Sequence, residues 1–284
     1  MLSSLSLMVL VTGTVAHVFG RHITARAPGA RMLSPQEQAV PRLNAAGGIN
    51  FEDIATIPKP GSQGLGLVAF SPDDRYVTFL RSPDGGLSRL LYAYDRQTGV
   101  TRPVMAPSEG GGEEGTFSKE EQLRRERQRI MSTGVTEYYW AKKADVLLVP
   151  KDGALFVQAG CGEGAESTLR RLFDPTDAAW AAVGSGPLLD PKLSEDGQRV
   201  YFVWDSEVCY VDVGDAGSAA DSATPVRLTR GARGTDRTNG VADYCAQEEM
   251  NRYTGYWPSG PASDFVAFEE VDEAHSARQG SQPA

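Results

Sequence analysis

Ser71-Pro72-Asp73-Asp74 and Ser194-Glu195-Asp196-Gly197 are two versions of one turn, and their recurrence decides the fold class. Each starts on a small hydroxyl residue and continues into the Asp and Gly types that tight turns favour. Outward from the first turn, residues 67–70, 76–81 and 87–94 read as short strands. Asp84-Gly85-Gly86 supplies the next turn, and Asp95-Arg96-Gln97-Thr98-Gly99 leads the chain into 100–105. Four short strands joined in this way form one propeller blade.

A similar line returns at 136–140, followed by 146–149 and 154–158. It returns again at 191–196, with 199–204 and 208–213 beyond, and a fourth time over 256–269. The aligned turn-starting positions are Ser71, Ala141, Ser194 and Ser259. Their spacing exceeds the usual blade period of about 40–50 residues, so insertions are required. No single four-stranded sheet buries both faces, and radial stacking against similar sheets solves that problem. A β-sandwich uses some of the same strands, but the repeated turn favours the propeller. The expected architecture is all-β: an incomplete β-propeller with an inserted arginine-rich helix.

Composition narrows the function. The 284 residues are 40% hydrophobic and include 31 Gly and 17 Pro, which suits a turn-rich globular chain. A formal charge of −9, from 28 basic and 37 acidic residues, argues against nonspecific nucleic-acid binding. Cys161, Cys209 and Cys245 give neither a disulfide framework nor a metal signature, although a bridge between two of them is left open. His17, His22 and His275 form no metal or catalytic cluster, so neither a metal nor a cofactor is expected.

Near the start, Leu5, Leu7, Met8, Val9, Leu10 and Val11 form an apolar run of signal-peptide character. No Lys or Arg precedes it, and Thr12-Gly13-Thr14 dilutes it. It is too short and interrupted for a membrane span, and it leaves location open between cytoplasm and export. Residues 1–48 read as a leader or linker, 49–273 as the folded part and 274–284 as a polar tail.

The largest insertion has helical signals. Ser118 is a cap, Glu120 and Glu121 follow it, and Arg124, Arg125, Arg127 and Arg129 lie toward the far end, as a helix dipole favours. Leu123 and Ile130 give a narrow apolar trace, so this helix is expected to project from the sheets. One reading is an exposed, salt-bridged face. The other is that a guanidinium reaches a substrate cavity and donates paired hydrogen bonds to a peptide carbonyl or carboxylate.

The stretch with most chemistry is Gln247-Glu248-Glu249-Met250-Asn251-Arg252-Tyr253-Thr254-Gly255-Tyr256-Trp257. It follows a segment, 241–246, that reads as a strand. Adjacent side chains on a helix do not face one target, so a short turn is expected to bring the two carboxylates together. A primary ammonium suits that target, because it offers three donors and a positive charge to several acceptor sites. An unmodified chain terminus is largely ammonium at neutral pH.

The run 241–257 strongly resembles the double-glutamate region of the dipeptidyl peptidase IV family of serine peptidases, which includes dipeptidyl peptidase 8- and 9-like proteins. The resemblance implies that Glu248 and Glu249 bind the free α-amine of a peptide from the propeller side of an active site. Glu113-Glu114, Ser118, Glu120-Glu121 and the run 123–129 resemble the arginine-rich helix of these proteins. That implies an arginine at Arg125 or Arg127 that assists in binding the peptide backbone. The likeness extends over 70–101, 133–157, 190–212 and 240–272. It departs at Trp257-Pro258-Ser259-Gly260-Pro261, and at Cys245, where relatives carry a small hydrophobic residue.

No G-x-S-x-G elbow occurs in the sequence, and Ser259 between Pro258 and Gly260 reads as a turn residue. Members of the family continue into further blades and a C-terminal α/β-hydrolase domain that carries the nucleophile. The chain is therefore expected to be the front part of such a peptidase, without catalytic residues of its own and inactive as a peptidase alone. The implied partner is a peptide with a free N-terminus, and the implied assembly is a homodimer of the full-length protein. The alternative is a noncatalytic β-propeller that serves as a binding module.

Overall fold

The computed structural model describes residues 64–105, 132–162, 169–214, 223–260 and 265–274, the backbone of 16–18 and 21–23, and the single residues 51, 55 and 126. The strands β1 (Ala16–Val18) and β2 (Arg21–Ile23) form a small antiparallel pair. Three antiparallel meanders follow. The first sheet contains β3 (Gly66–Phe70), β4 (Tyr76–Arg81), β5 (Ser88–Asp95) and β6 (Thr101–Pro103), and β7 (Thr133–Gly134) joins β5 in parallel. The second runs β8 (Tyr139–Trp140), β9 (Val146–Lys151), β10 (Ala154–Ala159) and β11 (Arg170–Phe173). The third runs β12 (Leu188–Leu193), β13 (Arg199–Trp204), β14 (Glu207–Asp212) and β15 (Val226–Arg227). Two pairs complete the chain: β16 (Arg237–Asn239) with β19 (Glu270–Asp272), and β17 (Tyr256–Pro258) with β18 (Val266–Phe268).

The repeated turn is built bond for bond in the first and third sheets. Ser71 N–H donates to the Tyr76 carbonyl at 3.0 Å, and Ser194 N–H to the Arg199 carbonyl at 2.8 Å. Each serine hydroxyl donates to the carboxylate two residues on, Asp73 at 2.5 Å and Asp196 at 2.6 Å. Each also accepts the amide that opens the next strand, from Tyr76 and from Arg199, both at 2.9 Å. In both turns the fourth residue adopts a left-handed backbone, Asp74 at φ 57° and Gly197 at φ 74°. Ala141 keeps the same backbone closure to Val146 at 3.0 Å without a hydroxyl, and Ser259 closes onto Phe265 at 2.7 Å. Ser71, Ala141 and Ser194 therefore begin equivalent turns closed over five positions, while Ser259 closes over six, across residues 261–264 that lie outside the described ones.

Strand alternation then decides how the sheets stack. Along β9, Leu147 and Val149 enter the core shared with the first sheet, while Leu148 between them enters the core shared with the third. Along β13, Val200, Phe202 and Trp204 face the second sheet, while Tyr201 and Val203 pack with Tyr256 of the last hairpin. Side chains of period two point to opposite faces, so these middle sheets are covered on both sides. A sandwich would leave one face of each sheet to solvent. The observed architecture is all-β with successive blade-like sheets, as the repeated turn indicated.

Neighbouring sheets are also tied at their turns. Glu195 receives Lys142 at 2.6 Å and Lys143 at 3.3 Å, and the Lys143 amide donates to the Glu195 carbonyl at 2.8 Å. The strand expected over 191–196 lies instead at Leu188–Leu193, because Ser194-Glu195-Asp196-Gly197 is itself the turn. Pro191 is accommodated because β12 is an edge strand with a register shift between Leu189 and Lys192. Of the inserted segment, the described residue is Glu126, which is helical and exposed. Arg125 and Arg127, and most of the expected helix, lie outside the described residues.

Candidate functional site

Residues 241–255 form an excursion between β16 and β17, closed at its neck. Val241 and Thr254 make an isolated antiparallel bridge. Gly255 passes so close to the incoming chain that a Cβ there would lie 2.6–2.7 Å from backbone atoms of Gly240 and Val241. The amide of Glu269 donates to the Gly255 carbonyl and its carbonyl accepts from Gly240 N–H, both at 2.8 Å. Gly255→Ala is accordingly expected to loosen this neck and destabilise the fold by roughly 1–3 kcal/mol, the usual cost of overpacking. Thermal melting checks it, and an unchanged midpoint would show that the neck has room to give.

Within the excursion lies α1 (Tyr244–Met250), where a strand over 241–246 was expected. Local chemistry explains the difference. Asp243 accepts the Ala246 amide at 3.1 Å as an N-cap, and Ala246, Gln247, Glu248, Glu249 and Met250 are strong helix formers. Gln247 adds a bond from Nε2 to the Ala242 carbonyl at 2.7 Å. At the far end Asn251 takes a left-handed conformation, φ 51°, which stops the helix.

Glu248 and Glu249 are exposed and occupy the last turn of α1. Consecutive helical positions diverge by about 100°, so convergence on one ligand relies on the reach of two flexible side chains. The last turn contains no basic residue. Two carboxylates at the partially negative end of a helix oppose its dipole, and the same arrangement concentrates negative potential where a cation would approach.

A helix of seven residues is not stable by itself, so its surroundings fix it. On one side β12 docks against the excursion. The Thr254 hydroxyl donates to the Asp190 carboxylate, and the Tyr256 hydroxyl to the Asp190 carbonyl at 2.5 Å. Lys192 pairs with Asp190 at 3.1 Å, donates to the Tyr256 carbonyl and lies 3.7 Å from the centre of the Tyr256 ring. Burial lowers the Lys192 pKa, while Asp190 opposes that shift. On the other side Arg252 binds the Glu269 carboxylate at 2.7 Å and the Thr254 carbonyl at 2.9 Å. The sequence offered no signal for these partners beyond the aromatic and glycine density of the run.

Of the remaining sequence candidates, Ser259 and the three cysteines lie among the described residues. The Ser259 hydroxyl accepts the Phe265 amide at 3.1 Å, a turn bond and not a nucleophile's environment. The three cysteines are free: Cys161 and Cys209 are buried, which pushes both thiols up to about 12, and Cys245 is exposed on α1. His275 lies outside the described residues. An open groove of about 590 Å³ borders Pro225, Arg227, Arg230 and Arg233. Two of its guanidinium groups are already committed to Asp205, Arg227 at 3.1 Å and Arg233 at 2.7 Å. Glu248 and Glu249 on α1, by contrast, are both exposed.

The chain is similar to several known proteins. Residues 166–278 match the family model for the dipeptidyl peptidase IV (DPP IV) N-terminal region. Dipeptidyl peptidase 8 of Homo sapiens is 28% identical over 171 residues, which cover 56% of this chain and 18% of that protein. Dipeptidyl peptidase 8 of Mus musculus is 26% identical over 175 residues, with the same two shares. Among solved structures, dipeptidyl peptidase 4 of Porphyromonas gingivalis aligns over 74% of this chain and 26% of its own, at 14% identity and a TM-score of 0.42. The matched regions thus span about a fifth of the length of the curated relatives.

Proposed function

We propose that the chain, whose residues 166–278 match the model for the dipeptidyl peptidase IV N-terminal region, recognises the free amino terminus of a peptide through Glu248 and Glu249. The observation that carries this reading is the placement of both carboxylates, exposed, on the last turn of α1, where the helix end adds to their negative potential. An α-ammonium brings three donors and one charge, and a pair of flexible carboxylates can accept from it together. An acetylated terminus loses the charge and keeps a single amide N–H donor.

In the proposed role the region acts as a ruler for an exopeptidase. It fixes the first residue of the peptide, so that a serine-peptidase centre elsewhere in a longer protein meets the chain at a set distance from its start. Arg125 or Arg127 of the inserted segment would hold the peptide backbone in the same role. Anchoring one end in this way turns a loose encounter into a fixed geometry at the scissile bond.

Calorimetric titration with a short peptide, free or N-acetylated, tests the proposal. The free peptide is expected to bind and the acetylated one to fail. Glu248→Gln or Glu249→Gln should each weaken binding by about tenfold, and the double variant by about a hundredfold, as loss of charged hydrogen bonds implies. Affinity should also fall as pH rises above about 8, where the terminal ammonium loses its proton. Equal binding of the two peptides, or a double variant that binds like the parent, would remove the proposal.

A further inference from the structure

The open groove beside β15 carries a positive charge that the chain itself does not balance. Arg227, Arg230 and Arg233 border it, and two carboxylates serve these residues. Asp205 takes Arg227 at 3.1 Å and Arg233 at 2.7 Å. Glu207 is filled by Thr229, Asn239 and the backbone amides of Ala232 and Arg233. Three guanidinium groups against two carboxylates leave one cation over. It is Arg230, which is exposed and has no hydrogen bond or ion pair among the described residues.

The mount for this cation is ordered before any ligand arrives. Thr229 on one side of Arg230 and Ala232 on the other are both bonded to Glu207, a side chain buried to 1% exposure. Arg227 is fixed as well, by the Val183 carbonyl at 2.6 Å and by the Trp204 ring. The remaining wall is apolar: Val183 and Val226 are 38% and 40% exposed, and Pro225 adjoins Val226. β15 is also the edge strand of its sheet. Leu228 N–H bonds to the Val208 carbonyl, so by antiparallel alternation the backbone groups of Arg227 turn toward that edge.

We infer that this groove receives an acidic peptide segment, extended along β15, with one carboxylate on Arg230 and apolar neighbours on Val183 and Val226. A single surplus charge matches a carboxylate, whereas a phosphate group brings close to two negative charges. The edge backbone offers bonds that a peptide main chain can complete and a small anion cannot. The inference does not involve Glu248 or Glu249, and it stands or falls apart from the amine-recognition reading.

The probe is a short peptide with one glutamate between valines, acetylated and amidated so that neither terminus is charged. It is titrated calorimetrically into the 284-residue chain, beside the same peptide with glutamine for glutamate. The glutamate peptide is expected to bind about tenfold more tightly. Serine in place of the valines should cost about fivefold. Arg230→Gln should bind the glutamate peptide about tenfold less tightly and no longer prefer it over the glutamine peptide. Arg96→Gln, which removes an equal charge from the first sheet, should bind like the parent.

Because Arg230 supports no described contact, its variant should melt with the parent, and the comparison is then between folded proteins. Absence of binding at about 5 mM peptide overturns the inference. Equal affinity for the two peptides, or an Arg230→Gln protein that still prefers glutamate, does so too. Inorganic phosphate that binds more tightly than the peptide, and loses that affinity in Arg230→Gln, would make this a small-anion site instead. A parent that dimerises by light scattering where Arg230→Gln does not would give the groove to a second copy of the chain and equally overturn it.

Discussion

Trp204→Ala should destabilise the fold by about 3–5 kcal/mol, the range for removal of a fully buried large aromatic side chain. Trp204 is fully buried at the end of β13, in the core between the second and third sheets. Its ring meets Phe173 edge-on at 5.4 Å, and Phe173 stacks on Phe202 at 5.1 Å. The indole Nε1 donates to the Gly186 carbonyl at 3.2 Å, and the Arg227 guanidinium lies 5.5 Å from the ring centre. Gly184 leaves just enough space for the indole, since a Cβ there would come within 2.7 Å of it. Alanine would therefore open a cavity, strand a carbonyl and remove the surface on which Arg227 lies. Trp204→Phe should cost less, because the aromatic contact with Phe173 is partly kept. Urea unfolding followed by far-ultraviolet circular dichroism measures both. A loss below about 1 kcal/mol for the alanine variant would mean that the two sheets do not depend on this contact.

The second large effect is at Glu207, a carboxylate only 1% exposed. One oxygen accepts the backbone amides of Ala232 at 2.8 Å and Arg233 at 3.2 Å. The other accepts the Thr229 hydroxyl at 2.6 Å and Asn239 Nδ2 at 2.9 Å. This single side chain thus pins the loop that leads from β15 to β16, and so to the neck of the α1 excursion. Glu207→Ala would leave three buried donors and one half-buried donor without their acceptor and should cost about 3–5 kcal/mol. Glu207→Gln should cost less. Its remaining carbonyl can still accept the two backbone amides, and Asn239, whose Oδ1 is buried without a partner, can turn that oxygen toward the new NH₂ group.

Acid pH separates the charge of Glu207 from its shape. Burial pushes its carboxyl pKa up, but the four hydrogen bonds outweigh burial and hold it below the ordinary value near 4.5. A group with a depressed folded-state pKa contributes its full stability above the unfolded value and loses it as pH falls through the folded value. The parent should therefore lose stability progressively below about pH 4.5, and Glu207→Gln should lose less over the same window. Asp73, Asp95 and Asp196, also held below their ordinary range, contribute in the same direction in both proteins. Identical acid profiles for parent and variant would remove the charge argument for Glu207.

The sequence by itself determined what is local. The serine turns were legible because their bonds join residues two to five positions apart, as Ser71 does with Asp73 and Tyr76. The strands on either side followed from alternation, and Glu248 and Glu249 stood out as a candidate pair within a run long enough to show a resemblance. The same locality misled at 241–246, where apolar residues suggested a strand and the Asp243 cap made a helix instead.

Only the tertiary structure decided what spans distance. Asp190 meets Thr254 and Tyr256 across more than sixty residues, and Glu207 gathers donors from Thr229 to Asn239. Arg252 finds Glu269 across a turn of a different hairpin. No periodicity records such pairs, because each depends on which edge of a sheet comes to lie against which loop once the blades have stacked. Pairing over that range is fixed by the packing of faces, and a buried carboxylate has the same letter in the sequence as an exposed one.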